Sequence, residues 1–142
     1  MAITQAVANS FKTEVLTGTH NFTATTGNSF KIALYTNSAT ISKSTTAYTT
    51  TAEVSGTGYT ATGNTLTSVT PVLSTDTAVC DFADTSWTSA TITARGALIY
   101  NDTQSDKAVV ILDFGGDKTS TAGTFTIQFP AADASNAILR LA

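Results

Sequence analysis

Nucleophilic catalysis needs a nucleophile with a base held beside it, and this chain has few residues that could serve. His20 is its only histidine and Cys80 its only cysteine. A lone histidine just after a helix reads as a solvated loop residue or a local capping partner rather than a general base. Cys80 alternates with Ala78 and Phe82, so its thiol is expected to face the core as a reduced, shielded, apolar filler. Paired carboxylates for glycoside hydrolysis would have to face each other across a groove. The only glutamates, Glu14 and Glu53, read as solvated, one on a helix and the other beside a loop. Asp81, Asp84, Asp113 and Asp117 lie near turns, but the run from Asp113 to Asp117 lacks the oxygen spacing and closing glutamate of a calcium loop. These carboxylates are expected to stabilise their own turns. Asp113-Phe114-Gly115 stands without the glycine-rich loop, strand lysine and catalytic-loop motif that would make it a kinase element. The residue types therefore point away from an enzyme, with no cofactor and no metal expected. Tyr48, Tyr59 and Trp87 sit among small polar neighbours and are candidates for a contact surface, Trp87 being better suited to packing at the core edge.

The elements that position these residues are strands. Thr fills roughly a fifth of the chain, and a β-branched hydroxyl side chain suits a pleated, half-exposed face better than a helix. Only 12% of residues are charged against 42% apolar, so the surface is wetted by hydroxyls and the length of 142 residues supports one domain, 1–142. One helix is expected over about 3–17, where Ile3, Val7, Phe11 and Val15 recur every four residues, with a left-handed stop at Gly18. Its stripe would be buried on the chain's own sheet or on a neighbouring subunit. From about residue 20 to 142 the period falls to two. Phe30, Ile32 and Leu34 alternate with Lys31, Ala33 and Tyr35, and further runs lie around Tyr59, from Leu66 to Val72, and at Ala78, Cys80 and Phe82. Residues 36–51 read as a long exposed loop. A hairpin is expected where Ala90 to Tyr100 meets Val109 to Phe114 across a polar turn. Gly115-Gly116-Asp117 should turn the chain again before Phe125, Ile127 and Phe129, and residues 137–141 add an edge strand. About eight strands without alternating helices predict an all-β fold, an antiparallel β-sandwich or jelly roll with one N-terminal helix.

Charge and composition exclude further classes. Seven basic residues in a chain of net charge −3 leave no stripe to track phosphates, so no nucleic acid is expected as a partner. No run approaches the roughly 18 apolar residues of a span, and residues 1–5 lack the start of a standard export signal, so no membrane is expected either. The two Asn-x-Thr triplets, at Asn21 and Asn101, are chance matches in a threonine-rich chain. One cysteine closes no internal disulfide.

Several segments carry a resemblance. Ala2-Ile3-Thr4-Gln5-Ala6-Val7 leading into Ser10-Phe11-Lys12-Thr13-Glu14-Val15-Leu16, then Phe30-Lys31-Ile32-Ala33-Leu34-Tyr35-Thr36, Thr93-Ala94-Arg95-Gly96-Ala97-Leu98-Ile99-Tyr100-Asn101 and Val110-Ile111-Leu112-Asp113-Phe114-Gly115 resemble small structural proteins of tailed bacteriophages. They look like the decoration, or cement, proteins that coat phage heads. The resemblance implies a β-rich virion protein made in the host bacterial cytoplasm and carried on the outer capsid surface. Its partners would be the major capsid protein and further copies of itself, as a homo-dimer or homo-trimer, with Phe11, Tyr48, Tyr59 and Trp87 as candidate contact residues. A head-fibre or tail-associated receptor- or glycan-binding domain fits the same composition.

Overall fold

The computed structural model describes residues 2–142 and is mostly β, with 48% of residues in strands and 8% helical. The chain enters as an edge strand. β1 (Ala6–Val7) lies antiparallel to β7 (Lys107–Ile127), with Ala6 opposite Ile111 and Val7 opposite Val110, and Ile3 bridges Ile41 in parallel. Coiling starts only at α1 (Asn9–Leu16), so the helix expected over 3–17 is corrected to its second half. The physical reason is competition for main-chain partners. Thr4 and Val7 are β-branched, and the edge of β7 offers bonds that an isolated first turn cannot match. Ala8 is held extended at the helix entrance, donating its N–H to the Val109 carbonyl at 3.0 Å. Ile3 and Phe11 are buried and Val7 and Val15 pack on the same core, so the four-residue spacing spans a strand–helix junction. Gly18 stops the helix in the left-handed region at φ 78°, as its position predicted.

The larger sheet is built on one long hairpin, β6 (Thr85–Asn101) and β7. β2 (Phe30–Tyr35) and β3 (Asn64–Thr65) extend it to the order β1-β7-β6-β2-β3. Asn101 closes the turn by accepting the Gln104 N–H on its side-chain oxygen. The expected turn at Gly115-Gly116-Asp117 does not occur. β7 continues through it, and register shifts against β6 absorb the irregularity, one of them between Ala94 and Gly96. β6 shows two environments. Trp87, Ala90, Ile92 and Ala94 are buried in alternation with exposed hydroxyl residues, whereas Ala97 to Asn101 is buried on both faces. The threonine-rich composition belongs to the first kind of surface, where Thr93 and Thr119 share a cross-strand hydroxyl contact of 3.1 Å.

The smaller sheet has the order β4 (Ser68–Ser74), β5 (Thr77–Phe82), β8 (Leu139–Leu141), all antiparallel, so the terminal edge strand forms as expected. Aromatic rings join the two sheets. Phe30 of the larger sheet stacks on Phe22 at 4.3 Å between centroids and meets Phe82 of the smaller one at 5.9 Å, with Phe129 beyond at 5.5 Å from Phe82. The result is an all-β sandwich of five- and three-stranded antiparallel sheets with one short helix.

Candidate functional site

Residues 36–63 depart furthest from the expectation of an exposed loop and a strand around Tyr59. Ala39 and Ile41 are buried, and Tyr59 lies in a turn. Hydroxyl bonds replace a ladder here. Tyr48 and Tyr59 donate their phenol protons to the two oxygens of Glu53, at 2.6 and 2.7 Å, and Thr62 N–H adds a third bond at 2.9 Å. Tyr59 oxygen also accepts the Leu34 N–H of β2, while Tyr35 and Tyr100 donate to the Thr49 and Thr62 carbonyls at 2.6 Å. Tyr35, Tyr59 and Tyr100 thus pin one segment to the larger sheet through their hydroxyls, while Tyr48 braces the segment internally and stacks on Tyr100 at 4.9 Å. Gly63 makes the fit possible: it sits at φ 79°, and a Cβ there would collide with the Ile32 carbonyl. Burial is the main reason the Tyr48 phenol is pushed up to about 12, with the Glu53 carboxylate adding to it. Burial raises Tyr35, Tyr59 and Tyr100 as well. Glu53, expected in solvent, is the hub of this segment.

A second polar chain passes through His20, whose side chain is fully buried. Glu14 Oε1 lies 3.0 Å from Nε2, and Asn101 Nδ2 lies 3.0 Å from Nδ1. Asn28 Oδ1 accepts from both Asn21 N–H and Asn101 Nδ2, and Asn101 oxygen is taken by Gln104 N–H. Asn101 therefore turns its amide hydrogens to the ring, so Nδ1 accepts and Nε2 carries the proton donated to Glu14. Lys107 Nζ stands 3.8 Å from the other Glu14 oxygen. The expectation of a solvated His20 and a solvated Glu14 is overturned. The chain ties α1 to the β6–β7 turn, and Phe11, at 4.8 Å between centroids, packs on the ring.

The aspartates do not sit in turns of their own as expected: Asp81 lies within β5, Asp113 and Asp117 lie within β7, and Asp84 Oδ1 accepts the distant Phe129 N–H at 2.9 Å. Asp113 Oδ1 accepts Gly115 N–H at 2.9 Å, and Arg95 lies 3.8 Å from both Asp113 and Asp117, a half-exposed arrangement of little energetic weight. Among the described residues no group of three or more His, Cys, Asp or Glu could hold a metal ion. Of the four candidate contact residues, Phe11 and Trp87 are buried, and Tyr48 and Tyr59 are half-buried with their hydroxyls committed to Glu53. Trp87 packs between Tyr59 and Phe125, as core-edge packing requires. The structure brings Tyr59 and Trp87 together and leaves Phe11 at the other end of the core.

Exposed apolar surface lies elsewhere. Among the described residues, the large hydrophobic side chains left in solvent are Leu16 of α1, Val69, Val72 and Leu73 of β4, and Leu141 of β8. Leu73, Ala78 and Leu141 stand opposite one another across the three strands, which puts them on one face. Between that face and α1 runs a groove of about 480 Å³ lined by Phe11, Val15, Leu16, Ala78, Cys80 and Leu141, among others. Cys80 is only half-buried. It shares a face with Ala78 and Phe82 as expected; Phe82 is buried, and Cys80 packs against the same core while also lining the groove, where burial pushes its thiol up to about 11. The sequence carried a signal for this surface. Leu16 falls outside the helix stripe, and Leu141 is an apolar residue of the edge strand. Comparison of the chain with protein-family models, with curated proteins and with solved structures finds no match.

Proposed function

We propose that the protein is a non-enzymatic structural component of a tailed-phage virion that binds and stabilises the outer surface of the capsid, as a decoration or cement protein. The observation that carries this reading is the separation of roles among its residues. The histidine and both glutamates are consumed in bonds that hold the fold, while the exposed large apolar side chains gather on the smaller sheet and α1. A small β scaffold with an apolar docking face suits a cement protein, and the segment resemblance to phage decoration proteins supports it. Its partners in this reading are the major capsid protein and further copies of itself. The test is co-sedimentation of the purified chain with mature heads of the phage that encodes it. Saturable binding that barely changes between low and high sodium chloride is expected, because apolar burial survives salt that screens surface charge pairs. Absence of binding, or steep release with salt on intact heads, overturns the reading.

A second reading, a glycan-binding domain of a head fibre or tail, is favoured by an open groove of about 600 Å³ along β7. Phe114 lies there beside Asp113, Lys118, Thr119, Ser120 and Gln128, an apolar ring among hydrogen-bonding groups. Binding to a glycan array that is lost on Phe114→Ala would select it.

A further inference from the structure

The groove under α1 lies beside β8, which forms one edge of the smaller sheet. The other edges are blunted: β1 and β3 are two residues long, and β4 carries Pro71 and a register shift between Val69 and Val72. β8 is also short, but it presents Leu139, Arg140 and Leu141 with neither proline nor bulge, and its outer side has no main-chain partner among the described residues. Leu139 and Leu141 face the groove with Ala78 and Cys80. The charged residues lining the groove are both cationic. Arg140 is turned to the carbonyls of Ala134 and Ser135, at 3.2 and 2.8 Å, while Lys12 is exposed at the groove wall, one helical turn before Leu16. No carboxylate lines this groove, although the chain as a whole carries net charge −3.

We propose that this groove docks an extended, acid-flanked apolar segment of a partner protein, which adds as a strand to the free edge of β8 and sends alternate side chains under α1. The inference rests on the reading of the protein as a binding module and names the chemistry of what it binds. Main-chain pairing fixes the segment, the groove selects apolar side chains at every second position, and Lys12 selects a carboxylate at the flank. The size of the surface favours a segment over a second copy. The exposed leucines lining the groove, Leu16 and Leu141, make a patch on the order of a few hundred Å² at most, whereas a stable pairing of two copies needs about 800 Å² on each.

Cys80 is the only thiol and lines the groove, so its modification reports occupancy. The full-length folded chain is treated with N-ethylmaleimide in the presence of a synthetic peptide with alternating Leu and Thr flanked by Asp, of its Lys-flanked counterpart, or of laurate. The Asp-flanked peptide is expected to slow labelling saturably, about fivefold when present at several times its Kd. The Lys-flanked peptide should protect a few-fold less at low salt, which is what one exposed charge pair allows, and Lys12→Glu should reverse the preference. Leu141→Glu, at an exposed position, should abolish protection while leaving the unfolding midpoint unchanged. Equal protection by both peptides, no protection by either, or protection by laurate alone overturns the proposal. So does protection that grows with protein concentration in the absence of peptide, because the occupant would then be a second copy. Wild-type heads serve as the separate arm. If heads bind the chain without slowing Cys80 labelling, the groove proposal fails and the capsid reading stands. If the acidic peptide protects and heads do not bind, the capsid reading fails and the groove proposal stands.

Discussion

The two sheets solve the same packing problem to different degrees. At the closed end of the larger sheet, Leu98, Ile99, Tyr100 and Ile111 are buried on both faces, and the segment over them is fastened by tyrosine hydroxyls. The smaller sheet reaches the core through Phe82 and Leu139 yet leaves Leu73 73% exposed and Leu141 64% exposed. A fold that can close one face so fully has no packing need to leave leucines in water on another. The difference separates a region closed by packing from one that leaves apolar surface uncovered.

That division makes opposite demands on equal chemistry. Leu98→Ala, in the closed end, should cost about 2–5 kcal/mol by urea denaturation, since it removes buried methyl groups and leaves a cavity. A loss comparable to that of a surface substitution would break the comparison. Glu53→Ala strands two phenol donors and the Thr62 amide and should cost about 1.5–3 kcal/mol. Protease cleavage within residues 36–63 should rise with it, which separates a loosened segment from global unfolding.

The tyrosines give the larger sheet an alkaline pH signature, to which the smaller one adds the raised Cys80 thiol. Their phenols titrate higher in the folded chain than the usual value of about 10 in an unfolded one. The folded state therefore holds protons that the unfolded state releases. The stabilisation is fully present below pH about 10 and is lost as pH rises toward the folded values, with a slope of up to about 1.4 kcal/mol per pH unit for each tyrosine. Urea midpoints measured across the alkaline range should fall, and Tyr48→Phe should flatten the fall. A flat profile would mean that the phenols are not enclosed. The smallest effect belongs to the other region: Leu73→Ala and Leu141→Ala should change stability by no more than about 0.5 kcal/mol. A larger loss would show that these leucines serve the fold and not a partner.

Residue pattern alone was enough for the fold class. Alternation at Phe30, Ile32 and Leu34, the hairpin around Asn101 and the edge strand near Leu139 follow from period and turn chemistry, which are local properties. It misled where two local patterns met, as at Ile3 and Val7, whose helical spacing is equally met by a strand entering a helix. Competition for the edge of β7 decided between them.

The polar networks could not be read in this way. Glu53 and Tyr59 are six residues apart and Glu14 and His20 also six, close enough to suggest partners, but only burial turns such pairs into fixed bonds. Asn101 reaches His20 across 81 positions. Cys80 shows the same limit: strand alternation gave its face correctly, while the tertiary structure decided that this face borders an open groove as well as the core. Sequence by itself determined which residues alternate. Which surfaces were left uncovered was decided by the packing of α1 and two sheets of unequal width, a property of no single segment.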